Sequence, residues 1–146
     1  MLNHDYRDLL NIFNDAKVDY MVVGAYAMAA HGYLRATGDI DIFINIAPDN
    51  VRAVFNALAT FGAPLRGIKA EDFLEPGTVY QIGVPPNRID ILNQITGVSF
   101  SECEPVVREV DGLRIPFIDK ASLIKNKQST GRAKDKIDVE FMNESP

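Results

Sequence analysis

The sequence predicts an α/β (α+β) fold, a mixed β-sheet flanked by helices. Three observations carry that expectation: helical and strand periodicities alternate early in the chain, two strand pairs joined by turn signals follow, and helical segments close it. The 146 residues are 47% hydrophobic and 24% charged, enough to fill the core of one ordinary domain. Nothing repeats and no low-complexity linker divides the chain, so residues 1–146 are expected to form a single domain.

From Asn3 to Ala16, apolar Leu9, Leu10, Ile12 and Phe13 recur at helical spacing, ending before Asp19. Tyr20 to Val23 reads as a short buried strand closed by Gly24. Ala25 to Tyr33 is rich in Ala and Met, good helix formers, and Gly32 is placed to stop it. Asp39 to Asn45 alternates as a strand does, and Pro48-Asp49 opens a helix to about Thr60. Glu71 to Glu75 reads as a helical turn. Thr78 to Val84 and Arg88 to Leu92 are strands joined across Pro85-Pro86-Asn87. Val106 to Val110 and Leu113 to Phe117 flank Asp111-Gly112, the strongest short hairpin signal in the chain. Asp119 is an N-cap candidate for a helix through Ser129; Gly131 interrupts, and a last helix takes Arg132 to about Met142.

Composition excludes several classes. The longest apolar run, Tyr20 to Ala30, counts 11 residues, against the roughly 20 that a bilayer requires. The N-terminus lacks the basic flank and apolar stretch of a signal peptide. Cys103 is the sole cysteine, which excludes an internal disulfide and a cysteine metal cage and fits a reduced, cytoplasmic setting. A net charge of -5 argues against indiscriminate coating of DNA. Yet Lys120 to Lys136 holds six basic residues against one acid, Asp135. Such a stretch on an acidic body suits a local anion such as a phosphate, or is simply a solvated helix face.

Asp39 and Asp41 lie two apart on a predicted strand, so both leave one face while Ile40, Ile42 and Ile44 leave the other. Acids are depleted in strands and like charges repel, which makes the pair a local rule broken for a reason. The Arg88 to Leu92 strand repeats the design: Arg88, Asp90 and Leu92 point one way, Ile89 and Ile91 the other. Adjacent strands would gather three carboxylates, each pair repelling by roughly 3 kcal/mol at 5 Å and an effective dielectric near 20. A divalent cation with all-oxygen ligands, Mg²⁺ or Mn²⁺, relieves that repulsion. The alternative is neutralisation by Arg35 and Arg88 as ordinary ion pairs. Upstream, the Gly24-Ala25 turn from strand to helix would let an anion approach backbone N–H groups, or is only a turn.

Taken together, Val23-Gly24-Ala25, His31-Gly32, Arg35-x-Thr37-x-Asp39-Ile40-Asp41, the later Asp90 and Lys127-x-x-x-Gly131-Arg132-x-Lys134-Asp135 resemble the nucleotidyltransferase superfamily. The likeness runs from about Tyr20 to Glu140 and is nearest to its small prokaryotic branch, related to AbiE-type abortive-infection toxins and minimal nucleotidyltransferases. It implies transfer of a nucleoside monophosphate from a nucleoside triphosphate to an acceptor hydroxyl, with pyrophosphate released. Asp39, Asp41 and Asp90 would be catalytic and hold Mg²⁺ or Mn²⁺; Gly24, Ala25, Arg35, Thr37, Lys127 and Lys134 would contact the nucleotide. The family usually has Gly-Gly or Gly-Ser where this chain has Gly24-Ala25; alanine keeps the space and the N–H but lacks the hydroxyl. The acceptor, whether partner protein, RNA end or small molecule, is expected to bring its own site or to bind across a homo- or hetero-oligomer. A toxin–antitoxin or phage-defence role belongs to the same family context. The rival is a nucleotide-binding protein of this fold that has lost catalysis, which Ala25 favours and the retained acids oppose.

Other residues read as structural. His31 caps or packs at a helix end, Cys103 lies between two acids that disfavour a thiolate, and Phe43, Phe55, Phe61 and Phe117 belong to the core. Asp135 and Asp138 are expected to pair with neighbouring Lys or Arg residues.

Overall fold

A computed structural model describes residues 2–144; Met1, Ser145 and Pro146, the outer ends of the expected domain, lie outside the described residues. In chain order the elements are α1 (His4–Asp15), β1 (Tyr20–Val23), α2 (Gly24–Ala30), β2 (Asp39–Ile44), α3 (Pro48–Phe61), β3 (Val79–Ile82), β4 (Arg88–Leu92), β5 (Val106–Val110), β6 (Leu113–Phe117), α4 (Lys120–Thr130) and α5 (Ala133–Glu144). Short 3₁₀ turns occupy Ala70–Leu74 and Phe100–Glu102.

The strands form one six-stranded mixed sheet in the order β3-β4-β2-β1-β6-β5. The two parallel pairings, β2 with β4 and β1 with β6, need long crossovers, whereas β3–β4 and β5–β6 are local antiparallel hairpins. The second hairpin turns on Asp111 and Gly112, both at positive φ, as its Asp-Gly dipeptide dictates.

Caps explain the helix starts. Asn3 accepts from the Tyr6 N–H and Asp119 from the Ser122 N–H, each satisfying an orphan donor. Four buried residues of α1, Tyr6, Leu9, Leu10 and Phe13, join Ile40, Ile42, Phe43 and Ile44 of β2 in one core. Isoleucines at alternate positions of β2 therefore face inward, and the intervening aspartates are left on the half-buried face.

Some boundaries differ from expectation. Helix α2 stops at Ala30, short of Tyr33, with His31 as C-cap and Gly32 left-handed just beyond. Strand β3 ends at Ile82, because Gly83 takes a positive φ. The last helix starts at Ala133 and runs past Met142 to Glu144. Gly131, at φ 71°, caps α4 and breaks it from α5. Lys120, Lys127 and Lys134 therefore do not share one helical stripe.

Candidate active site

The parallel register of β2 on β4 sets Asp39 opposite Arg88 and Asp41 opposite Asp90. These four side chains share a face, and Asp39, Asp41 and Asp90 each bring a carboxylate oxygen within 4.8 Å of the others. The proximity follows from the register: a one-residue slip would turn one strand's acids into the core.

Arg88 answers part of the charge. Its Nη2 donates to Asp39 Oδ2 at 2.7 Å and to Asp90 Oδ2 at 3.2 Å. Its Nε lies 3.1 Å from Asp90 Oδ1 but outside hydrogen-bonding geometry, so both buried atoms are without a hydrogen-bond partner among the described residues. The ordinary ion-pair reading thus holds for Arg88 with two of the acids. It fails for Arg35, whose guanidinium instead reaches Asp138 at 2.9 Å. Asp41 has no cation within ion-pairing distance among the described residues. Burial, then the charges of Asp39 and Asp90, push its carboxyl up to about 7. Burial and the hydrogen-bonded Asp39 likewise raise Asp90. Burial also presses Asp39 upward, but hydrogen bonds from Arg88, Asp90 and the Thr37 hydroxyl outweigh it and hold Asp39 below the usual range.

With all three carboxylates ionised, one guanidinium leaves a net charge of -2 on this face. Oxygen-only donors, an unpartnered buried Asp90 Oδ1 and an Asp41 with no cation are what a divalent hard cation would satisfy, and the residues fit one.

Gly24 makes room for this cluster. Val23 pairs with Asp41 across β1 and β2, so the chain turns into α2 directly over the Asp41 carboxylate. A Cβ on Gly24 would fall 2.6 Å from Asp41 Oδ2, and the residue sits at φ +69°. Glycine is required there on both counts. Ala25 needs no such freedom.

Beside the acids lies a pocket of about 200 Å³. Its walls bring together every residue of the expected site except Asp90: Asp39, Asp41, Gly24, Ala25 and Thr37 on one side, Arg35, Lys127 and Lys134 on the other. Lys127, expected as a nucleotide contact, is itself held by two acids. It is 7% exposed, and its ammonium contacts Asp135 at 3.3 Å and Asp138 at 3.0 Å. Arg132 Nε and the Thr130 hydroxyl complete Asp135 at 2.7 and 2.6 Å. Burial alone would raise Asp135; the Thr130, Arg132 and Lys127 contacts overcome it and hold the carboxyl low. Arg132 lines the pocket and was not singled out as a ligand, although it lies in the basic segment that marked this region. Lys134 alone among the pocket's cations makes no ion pair among the described residues. A larger cavity of about 490 Å³ lies at the far ends of β2 and β4, but it is lined by no charged side chain.

The remaining residues behave structurally. His31 Nε2 lies 2.7 Å from the Ile118 carbonyl, and Cys103 is buried, its thiol pushed up first by burial. No described helix is long and apolar enough to cross a membrane.

The mixed sheet and its flanking helices are similar to those of two solved structures. A solved structure from Thermotoga maritima, described as a "putative nucleotidyltransferase", aligns with a TM-score of 0.65 over 99% of this chain and 97% of its own, at 15% identity. The lincosamide antibiotic adenylyltransferase LnuA, in its lincomycin-bound structure, aligns with a TM-score of 0.56 over 98% and 97%, at 12% identity. No protein-family model matches the chain, and no curated protein matches it in sequence.

Proposed function

We propose that the protein is a metal-dependent nucleotidyltransferase that moves a nucleoside monophosphate from a nucleoside triphosphate to a hydroxyl of an acceptor. The observation that carries this reading is the convergence of Asp39, Asp41 and Asp90 beside a pocket whose far wall is cationic. At about 200 Å³ the pocket is smaller than the roughly 300–1,000 Å³ of ordinary ligand sites, a size suited to a phosphate chain with sugar and base outside it.

Asp39, Asp41 and Asp90 would hold Mg²⁺ or Mn²⁺, which when bound clamps the phosphates and draws charge from the α-phosphorus. Lys134, Arg35 and Arg132 would bind the triphosphate oxygens, with Lys127 fixing the wall behind them. Thr37 orients Asp39 through its hydroxyl. The acceptor oxygen would attack the α-phosphorus, the bond to the β-phosphate oxygen would break, and pyrophosphate would leave. Asp90 would take the hydroxyl proton. Catalysis would then rest on alignment and preorganised charge.

The AbiE-type branch, a toxin–antitoxin or phage-defence setting, and residues 1–146 as one domain belong to this proposal and rest on the motif run. So does an acceptor that is a partner protein, an RNA or a small molecule; the lincomycin bound in LnuA supports the last. One observation favours a second reading, a nucleotide-binding protein without catalysis: Arg88 already bridges Asp39 and Asp90. A transfer assay with labelled triphosphates, Mg²⁺ or Mn²⁺ and cell extract separates the two. Label moving to a product with wild type but not with Asp41→Asn supports transfer; tight nucleotide binding with no labelled product supports the second reading.

A further inference from the structure

We propose that the outward face of α5 is the contact of a two-fold dimer, and that its occupant is a second copy of this chain. Lys134, Ile137, Phe141 and Glu144 recur at intervals of three, four and three, so they form one stripe along the helix. All four are exposed, Ile137 by 62% and Phe141 by 55%. The opposite face, with Asp135, Asp138, Val139 and Met142, is buried in the fold. Helix α5 thus buries one face and leaves Ile137 and Phe141 uncovered on the other. The patch widens beyond the helix: the Phe141 ring meets Tyr33 edge-on at 5.3 Å, and the next residue, Leu34, is 88% exposed.

Charge complementarity identifies the occupant. Read along the helix, the stripe is basic, apolar, apolar, acidic. Laid antiparallel on a copy of itself, Lys134 meets the partner's Glu144 and Ile137 meets the partner's Phe141, and each contact occurs twice, as an isologous interface requires. A parallel alignment would set lysine on lysine and glutamate on glutamate. Lys134 also borders the phosphate pocket, so the antiparallel pairing brings the partner's Glu144 to its rim. Lys134 would then stand between the pocket of the proposed reaction and the partner's Glu144.

Sedimentation of the full chain from about 1 µM to about 1 mM tests it. Wild type is expected to shift from monomer to dimer across that range, and Ile137→Glu to remain monomeric with an unchanged circular dichroism melt. Lys134→Glu or Glu144→Lys alone should weaken association about tenfold, and the two together should restore it to within about threefold of wild type. An equimolar mixture of Ile137→Cys and Phe141→Cys proteins should form a disulfide dimer faster than either alone, the remaining thiol, Cys103, being buried. A monomer at every concentration would overturn the proposal and leave the face to another macromolecule or to solvent. So would a double reversal that fails to restore association, or single-cysteine proteins that cross-link with themselves as fast as in the mixture.

Discussion

Replacing Arg88 by glutamine should weaken the fold and strengthen metal binding at the same time. Arg88 bridges Asp39 at 2.7 Å and Asp90 at 3.1 Å, and about a third of its side chain is exposed, so solvent screens part of both attractions. Two charge-assisted contacts in that setting are lost with the guanidinium. Their loss should lower the metal-free melting temperature by about 4–8 °C in a chain of this size. The guanidinium also repels any divalent ion that shares its carboxylates. Solvent screens that repulsion, so its removal should tighten Mn²⁺ binding by about tenfold. Calorimetric titration with Mn²⁺, paired with thermal melts in chelator, reads both quantities. If Arg88→Gln binds Mn²⁺ no more tightly than wild type, the guanidinium organises the acids for the ion instead of competing with it. If Asp41→Asn also leaves Mn²⁺ binding unchanged, the carboxylates hold no metal and the proposed reaction loses its basis.

Four further perturbations address the rest of the site. Gly24→Ala adds a left-handed penalty of about 1–2 kcal/mol and drives a methyl against Asp41 Oδ2, so Mn²⁺ affinity should fall by more than the melting temperature suggests; equal losses would show that Asp41 is not a ligand. In the metal-free protein Asp41 carries a carboxyl raised from 3.8 to about 7, so the folded state holds a proton that the unfolded state has released. That contribution is full below pH 4 and disappears as pH rises through 7, on the order of 2–4 kcal/mol, and Asp41→Asn should flatten the loss in chelator-treated melts. Lys127→Met leaves Asp135 and Asp138 buried with one guanidinium each and should cost about 3 kcal/mol of stability. In dilute, monomeric solution Lys134→Ala should raise the KM for triphosphate with the melting temperature unchanged; the opposite pattern would exchange the two lysines' roles.

Much of the fold was legible because each local signal agreed with the tertiary outcome. The alternation of β2, the Asp-Gly turn at Asp111-Gly112, the Asp119 cap and the Gly131 break are short-range chemistry, and short-range chemistry decided them. The acids were legible for a related reason: Asp39 and Asp41 sit out of phase with a strand of isoleucines, and Asp90 repeats the phase. What the sequence could not carry was partner choice. Arg35 lies four residues before Asp39 and reaches Asp138 instead, because loop and helix converge only in the folded chain. Lys127 was marked by charge alone, and charge does not reveal that two buried aspartates would claim it. The parallel register that sets Arg88 against Asp39 is likewise a tertiary fact.

That difference in partner choice gives the pocket its electrical form. On the sheet side, three carboxylates in the ionised state that a bound cation would favour and one guanidinium give a net charge of -2; on the helix side, Arg35, Lys127, Arg132 and Lys134 against Asp135 and Asp138 leave +2. The walls therefore oppose each other across a space too small for a whole nucleotide. Neither wall alone selects a triphosphate: the acidic one repels it, and the basic one would accept any anion. In the proposed reaction a polyphosphate carrying its own divalent ion would match both at once, cation toward the aspartates and oxygens toward Lys134 and the arginines. Charge separation maintained by Asp135 and Asp138 is thus as much a requirement for the site as the carboxylate trio, since without them the helix-side cations would be free to collapse onto Asp39 and Asp41 and close the space between.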